Sequence, residues 1–63
     1  MPMKPGKLEQ LVLQQGFVYQ HNKGKGGHRR YRHPDGRTTE IPFYAKEIRK
    51  YTQDKILKQI GLK

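Results

Sequence analysis

Residues 23–37 read Lys-Gly-Lys-Gly-Gly-His-Arg-Arg-Tyr-Arg-His-Pro-Asp-Gly-Arg, with six Lys/Arg, two His, four Gly and a single acid, Asp35. Three chemistries fit such a stretch: a phosphate grip without catalysis, a metal site, or RNA cleavage in which a histidine moves protons. The last needs no metal. An imidazole accepts the 2′-OH proton, the freed oxygen attacks the adjacent phosphorus, and nearby cations stabilise the charge that builds there. Among His21, His28 and His33, only His28 follows a glycine pair, Gly26-Gly27, and opens a run in which alternate residues are Arg30 and Arg32. His28 is therefore the candidate general base, Arg30 or Lys25 the candidate phosphate stabiliser, and Arg32 and Lys23 the backbone grips. A histidine that only contacts phosphate within a binding face would use the same residues, so both readings stand at this level.

The other two chemistries fare worse. His28 and His33 lie on opposite faces of an extended strand, and the chain has no cysteine, so neither a close ligand pair nor a thiolate set is available for zinc. No metal or other cofactor is expected. Gly24-Lys25-Gly26-Gly27-His28-Arg29 also misses both nucleotide-loop patterns, because Arg29 stands where a third glycine is needed and no Gly-Lys-Ser/Thr occurs.

These side chains need a scaffold, and the flanking sequence supplies its elements. Leu8, Leu11 and Val12 recur at helical spacing and predict a helix over about Lys7 to Gln15, with Pro5 suited to the first turn. Gly16 and Phe17 would close it, the glycine in the left-handed conformation and the phenyl ring folded back onto Val12. Phe17 to Gln20 has strand character, and the glycine-rich segment from Asn22 to Gly27 is a turn or loop. His28 to His33 is the next strand. If Tyr31 marks its core face, Arg29 and His33 share that face, while His28, Arg30 and Arg32 stand together on the open one. His33 itself reads as a turn residue bonded locally, and His21 as an exposed residue at a strand end.

His33-Pro34-Asp35-Gly36 is a hairpin turn, with Pro at the second position and Gly supplying positive φ at the closing bulge. Arg37 to Ile41 follows as the third strand, and Pro42 ends it. Phe43 to Tyr51 has no clear element, although Ile48 needs a buried home. Phe43 and Tyr44 are expected in the core, with base stacking as the alternative. Thr52 should cap a second helix with Asp54 in its first turn and Ile56, Leu57 and Ile60 on its apolar stripe. Gly61-Leu62 should stop it as Gly16-Phe17 stops the first. The fold class is α+β: a two-layer α-β-β-β-α arrangement with a three-stranded antiparallel sheet and both helices on one face.

Composition narrows the partners. The chain has 63 residues, too few for more than one domain, which spans 1–63, and its core must be thin. A net charge of +9 is tolerated more easily with a polyanion or an acidic protein partner, the bland alternative being a solubilising surface, and six of the fourteen basic residues fall in 21–37 with six more in 38–63. Lys46, Arg49, Lys50, Lys55 and Lys58 can extend the cationic surface from the C-terminal side. No apolar run reaches the ~18 residues of a membrane span, and the start lacks the features of a signal peptide. A cytoplasmic protein without membrane contact is expected.

In order and spacing, Gly26-Gly27-His28, His33-Pro34-Asp35-Gly36-Arg37, Ile41-Pro42 and the closing Thr52 with Ile56-Leu57-Lys58-Gln59-Ile60-Gly61-Leu62 resemble the HicA family of mRNA-interferase toxins. The opening helix and Gly16-Phe17 fit as well, so the likeness spans nearly the whole chain. It implies a fold like the double-stranded-RNA-binding domain, ribosome-independent cleavage of mRNA that halts translation, and neutralisation by a cognate, acidic HicB antitoxin. The family's active-site histidine, in a Gly-Ser-His motif, falls on His28. Gly27 stands where that motif commonly has serine, and Tyr51 where a glycine usually precedes Thr52. The alternative function is a non-catalytic RNA-binding module of the same fold, which would bind duplexes by shape and phosphate contacts.

Overall fold

The structure, a computed structural model, describes residues 3–21 and 27–63. Its elements run α1 (Pro5–Gln14), β1 (Val18–Gln20), β2 (His28–Arg32), β3 (Thr38–Pro42) and α2 (Lys50–Gln59). The strands form one antiparallel sheet in the order β1-β2-β3. This is the α-β-β-β-α arrangement expected from the sequence.

Local chemistry accounts for most of the boundaries. Pro5 sits in the first turn of α1, where its missing N–H costs nothing, and the N–H groups of Lys7 and Leu8 donate to the Lys4 carbonyl instead. At the other end Gly16 takes φ of +92°, the Gly16 N–H donates to Leu13 O, and the Phe17 N–H reaches Val12 O at 3.4 Å. Helix α2 stops the same way. Gly61 has φ of +88°, and the Leu62 N–H donates to Leu57 O at 2.8 Å. Both ends are thus Schellman closures, in which the left-handed glycine lets the next N–H reach back to an orphan carbonyl.

The β2–β3 turn also forms as expected. Gly36 N–H donates to His33 O at 2.9 Å, Gly36 takes φ of +99°, and His33 N–H donates to Arg37 O at 2.8 Å. Asp35 stiffens this turn by accepting from the Arg37 backbone N–H at 2.9 Å and from its Nε at 2.7 Å. The backbone bond first, and then the guanidinium, hold the Asp35 carboxyl below its ordinary range.

Tyr31 and Ile41 point to one side of the sheet, and Leu8 and Val12 of α1 join Ile56 and Ile60 of α2 against them in a single buried cluster with Phe17 and Ile48. Both helices therefore cover one face. The register places His28 opposite Pro42, Arg30 opposite Glu40 and Arg32 opposite Thr38 on the other face, which is left open. Pro42 is the last residue of β3 and not the one beyond it, tolerated because β3 is an edge strand.

The start of α2 corrects the expectation of a Thr52 cap. Arg49 is the extended N-cap residue, no side chain caps it, and the first helical residue is Lys50, which puts Thr52 inside the first turn and Asp54 beyond it. The reason is tertiary. Ile48 is buried, its N–H donates to Met3 O at 2.7 Å, and Gln53 accepts the Met3 N–H at 2.8 Å. That anchor turns the chain into the helix two residues before the favourable cap residue arrives.

Candidate functional site

His28 opens β2, directly after Gly27, and is half-buried on the open side of the sheet. Alternation along β2 puts Arg30 on the same side. A cleft of about 340 Å³ runs from these two residues across the β3 edge to α2, bordered by Glu40, Tyr44, Thr52 and Lys55. Its size falls at the lower end of the ~300–1,000 Å³ typical of small-ligand sites, enough for one nucleotide-sized group.

Arg30 is not a free cation. Its Nε donates to Glu40 Oε2 at 3.2 Å and its Nη2 lies 3.2 Å from the same oxygen. Both side chains are roughly half exposed, so the pair is worth about 0–1 kcal/mol and can give way to a phosphate. Lys55 adds a second cation from the α2 side of the cleft. Glu40 and Lys55 were not singled out from the sequence as cleft residues. Glu40 could have been found, since counting three residues outward on each strand from the His33–Arg37 closing pair puts it opposite Arg30. Lys55 was read only as one of five C-terminal cations extending the basic surface, because the docking of α2 alone brings it to the cleft with His28.

The imidazole of His28 rests against the Tyr44 ring, with centroids 5.3 Å apart and planes tilted by 47°. Tyr44 is 72% exposed. Phe43, its neighbour, turns the other way and packs against the core, with the Arg29 guanidinium 4.0 Å from its ring centre. A backbone bond from Phe43 N–H to Gly27 O, 2.8 Å long, ties this segment to the residue before His28.

The other expected residues separate. Arg32 is exposed on the same side as His28 but borders a different depression, with Val18, Gln20, His33 and Pro34. Lys23 and Lys25 lie outside the described residues. His33 meets Phe17 edge-on at 5.1 Å and its Nδ1 accepts the Asp35 N–H at 3.1 Å, the local turn role expected of it. His21 is exposed just after β1, its ring 4.6 Å from that of Tyr19. Arg29, on the helix-covered side, is structural: its Nη1 donates to Glu9 Oε2 at 3.3 Å, and Tyr31 Oη donates to the same oxygen. Among the described residues no group of three or more His, Asp or Glu converges as metal ligands.

The cleft can therefore offer one imidazole, two cations and an exposed aromatic ring to an anionic chain. Comparison with protein-family models matches the HicA toxin of bacterial toxin-antitoxin systems over residues 6–62. Comparison with curated proteins gives no match.

Proposed function

From the membership of this chain in the HicA family of bacterial toxins, and from the His28 cleft, we propose a metal-independent endoribonuclease that cuts mRNA with His28 as general base. Family membership makes it a toxin held in check by a cognate antitoxin. The finer assignment of that partner as an acidic HicB protein agrees with the net charge of +9. We place the action in the cytoplasm, where mRNA is, and assign it to residues 1–63 acting as a single domain.

The observation that carries this reading is the position of His28: half-buried, on the uncovered sheet face, in a cleft with Arg30 and Lys55. A ring nitrogen takes the 2′-OH proton, the 2′ oxygen bonds to phosphorus, and the bond to the 5′ oxygen breaks as water gives that oxygen a proton. The products are a 2′,3′-cyclic phosphate and a 5′-hydroxyl. Arg30, released from Glu40, and Lys55 stabilise the phosphorane, with Lys25 a further candidate. Lys23 and Arg32 are the proposed grips on the RNA backbone.

The test mixes purified protein with single-stranded RNA in excess EDTA. The native chain should cut, and His28→Ala should lose at least a hundredfold in rate, in line with the roughly 10²–10⁴ that a general base contributes. Intact RNA with the native chain, or equal cutting by the variant, rejects the reading. Binding without products would then point to the non-catalytic module.

A further inference from the structure

Tyr44 is a large aromatic residue left outside the core. A tyrosine 72% exposed contributes little to the core, and the buried cluster is complete without it. Yet its ring stands against His28 and borders three separate depressions: the His28 cleft, one beside Arg29 and Phe43, and one leading to Arg49. It stands as a ridge between these depressions, beside His28.

Gly27 is what lets the ring sit there. A Cβ at residue 27 would lie 2.8 Å from Tyr44 Cβ, closer than non-bonded carbons approach, and a tight 3.0 Å from its Cδ2. Among the described residues the positive-φ glycines are Gly16, Gly36 and Gly61, so the backbone at Gly27 is open to any residue and only space demands glycine there. The Phe43 N–H bond to Gly27 O keeps the two segments from sliding apart.

We infer that Tyr44 is a base-stacking platform that positions the nucleotide at His28, and that Gly27 is small so that the platform can close on the histidine. The inference rests on the RNA reading above and deepens it by naming how the nucleotide is held. An exposed ring beside a general base suits stacking because every nucleobase has an apolar face, so the grip is tolerant of sequence. A ring already tilted against the imidazole also fixes the histidine's orientation before substrate arrives.

Two measurements on a short single-stranded RNA test it: fluorescence anisotropy with an uncleavable 2′-O-methyl version, and single-turnover cleavage of the all-ribose version in EDTA. Tyr44→Ala should bind roughly ten- to a hundredfold more weakly, the loss of one stacked base. Tyr44→Phe should recover most of that loss. Gly27→Ala should weaken binding by displacing the ring, and the Gly27→Ala/Tyr44→Gly pair should be no worse than Tyr44→Gly alone, since removing the Tyr44 Cβ, the atom nearest a Cβ at residue 27, takes away the clash's partner. Circular dichroism checks that each variant is folded.

Native-like binding and cleavage by Tyr44→Ala overturns the platform while leaving the nuclease intact. Additive losses in the double variant overturn the role given to Gly27. If the native chain binds but never cuts, the nuclease reading falls, and the platform stands only if Tyr44→Ala still loses affinity. A native chain that binds no RNA overturns both.

Discussion

At the scale of single residues, the proposed general base is His28, whose ring rests against Tyr44, while Arg30 in the same cleft is paired with Glu40. On the proposed function, an RNA strand would have to displace Glu40 before Arg30 could serve it. Glu40→Gln removes that competition and one negative charge, and should tighten binding to uncleavable RNA about two- to fivefold, the worth of an exposed ion pair. The salt dependence should steepen by about 0.7 in log–log slope, one further phosphate contact on a single strand. A salt titration that finds neither change would show that Arg30 is not the phosphate ligand. His28 was legible in the sequence because strand alternation, anchored on Tyr31, assigns its face with no tertiary information. Arg32 was grouped with it by the same logic, yet alternation says nothing of distance along the strand, and Arg32 ends up beside β1.

At the scale of elements, features set by neighbouring residues were readable and features set by distant ones were not. Both Schellman closures and the Pro-Asp-Gly turn depend on a handful of consecutive residues, and each forms as expected. The start of α2 depends on Met3, some fifty residues away, and the close seat of Tyr44 against residue 27 leaves no room for a Cβ there. No local pattern encodes either. The closures also make a graded claim. Alanine at Gly36 meets nothing within 4 Å, so Gly36→Ala should cost only the left-handed backbone penalty of about 1–2 kcal/mol. Alanine at Gly16 carries the same penalty and in addition brings Cβ to 3.2 Å from His33 Nε2. Chemical denaturation should therefore find Gly16→Ala the less stable of the two. Equal losses would show that His33 yields freely.

At the scale of the whole molecule, one small two-layer unit keeps its apolar side under the helices and turns its other sheet face, with His28, Arg30 and Arg32, to the outside. What fastens α1 to the sheet beyond apolar packing is Glu9, which accepts from both Tyr31 and Arg29. Burial first, and then the bond and charge of Glu9, push the Tyr31 phenol well above its ordinary pKa. A raised folded-state pKa gives stability that is complete below the unfolded value of about 10 and is lost as pH climbs through the folded value. Thermal melts should thus show a loss of stability that begins near pH 10. Tyr31→Phe should be less stable at neutral pH by about 1.5–3 kcal/mol, the worth of a bond to a charged group, and should show a shallower alkaline fall; an unchanged alkaline limb would remove Tyr31 from this role. Among the described residues no helix is long and apolar enough to cross a membrane, and the open cationic face is the molecule's outstanding surface. On the proposed function His28 deprotonates a ribose hydroxyl, and a 2′-O-methyl strand carrying a single ribonucleotide, incubated in EDTA, tests this most directly. The expected result is one cut, 3′ to the lone ribose, leaving a cyclic phosphate with the native chain and almost nothing with His28→Ala; cutting at methylated positions, or equally by both proteins, would contradict it.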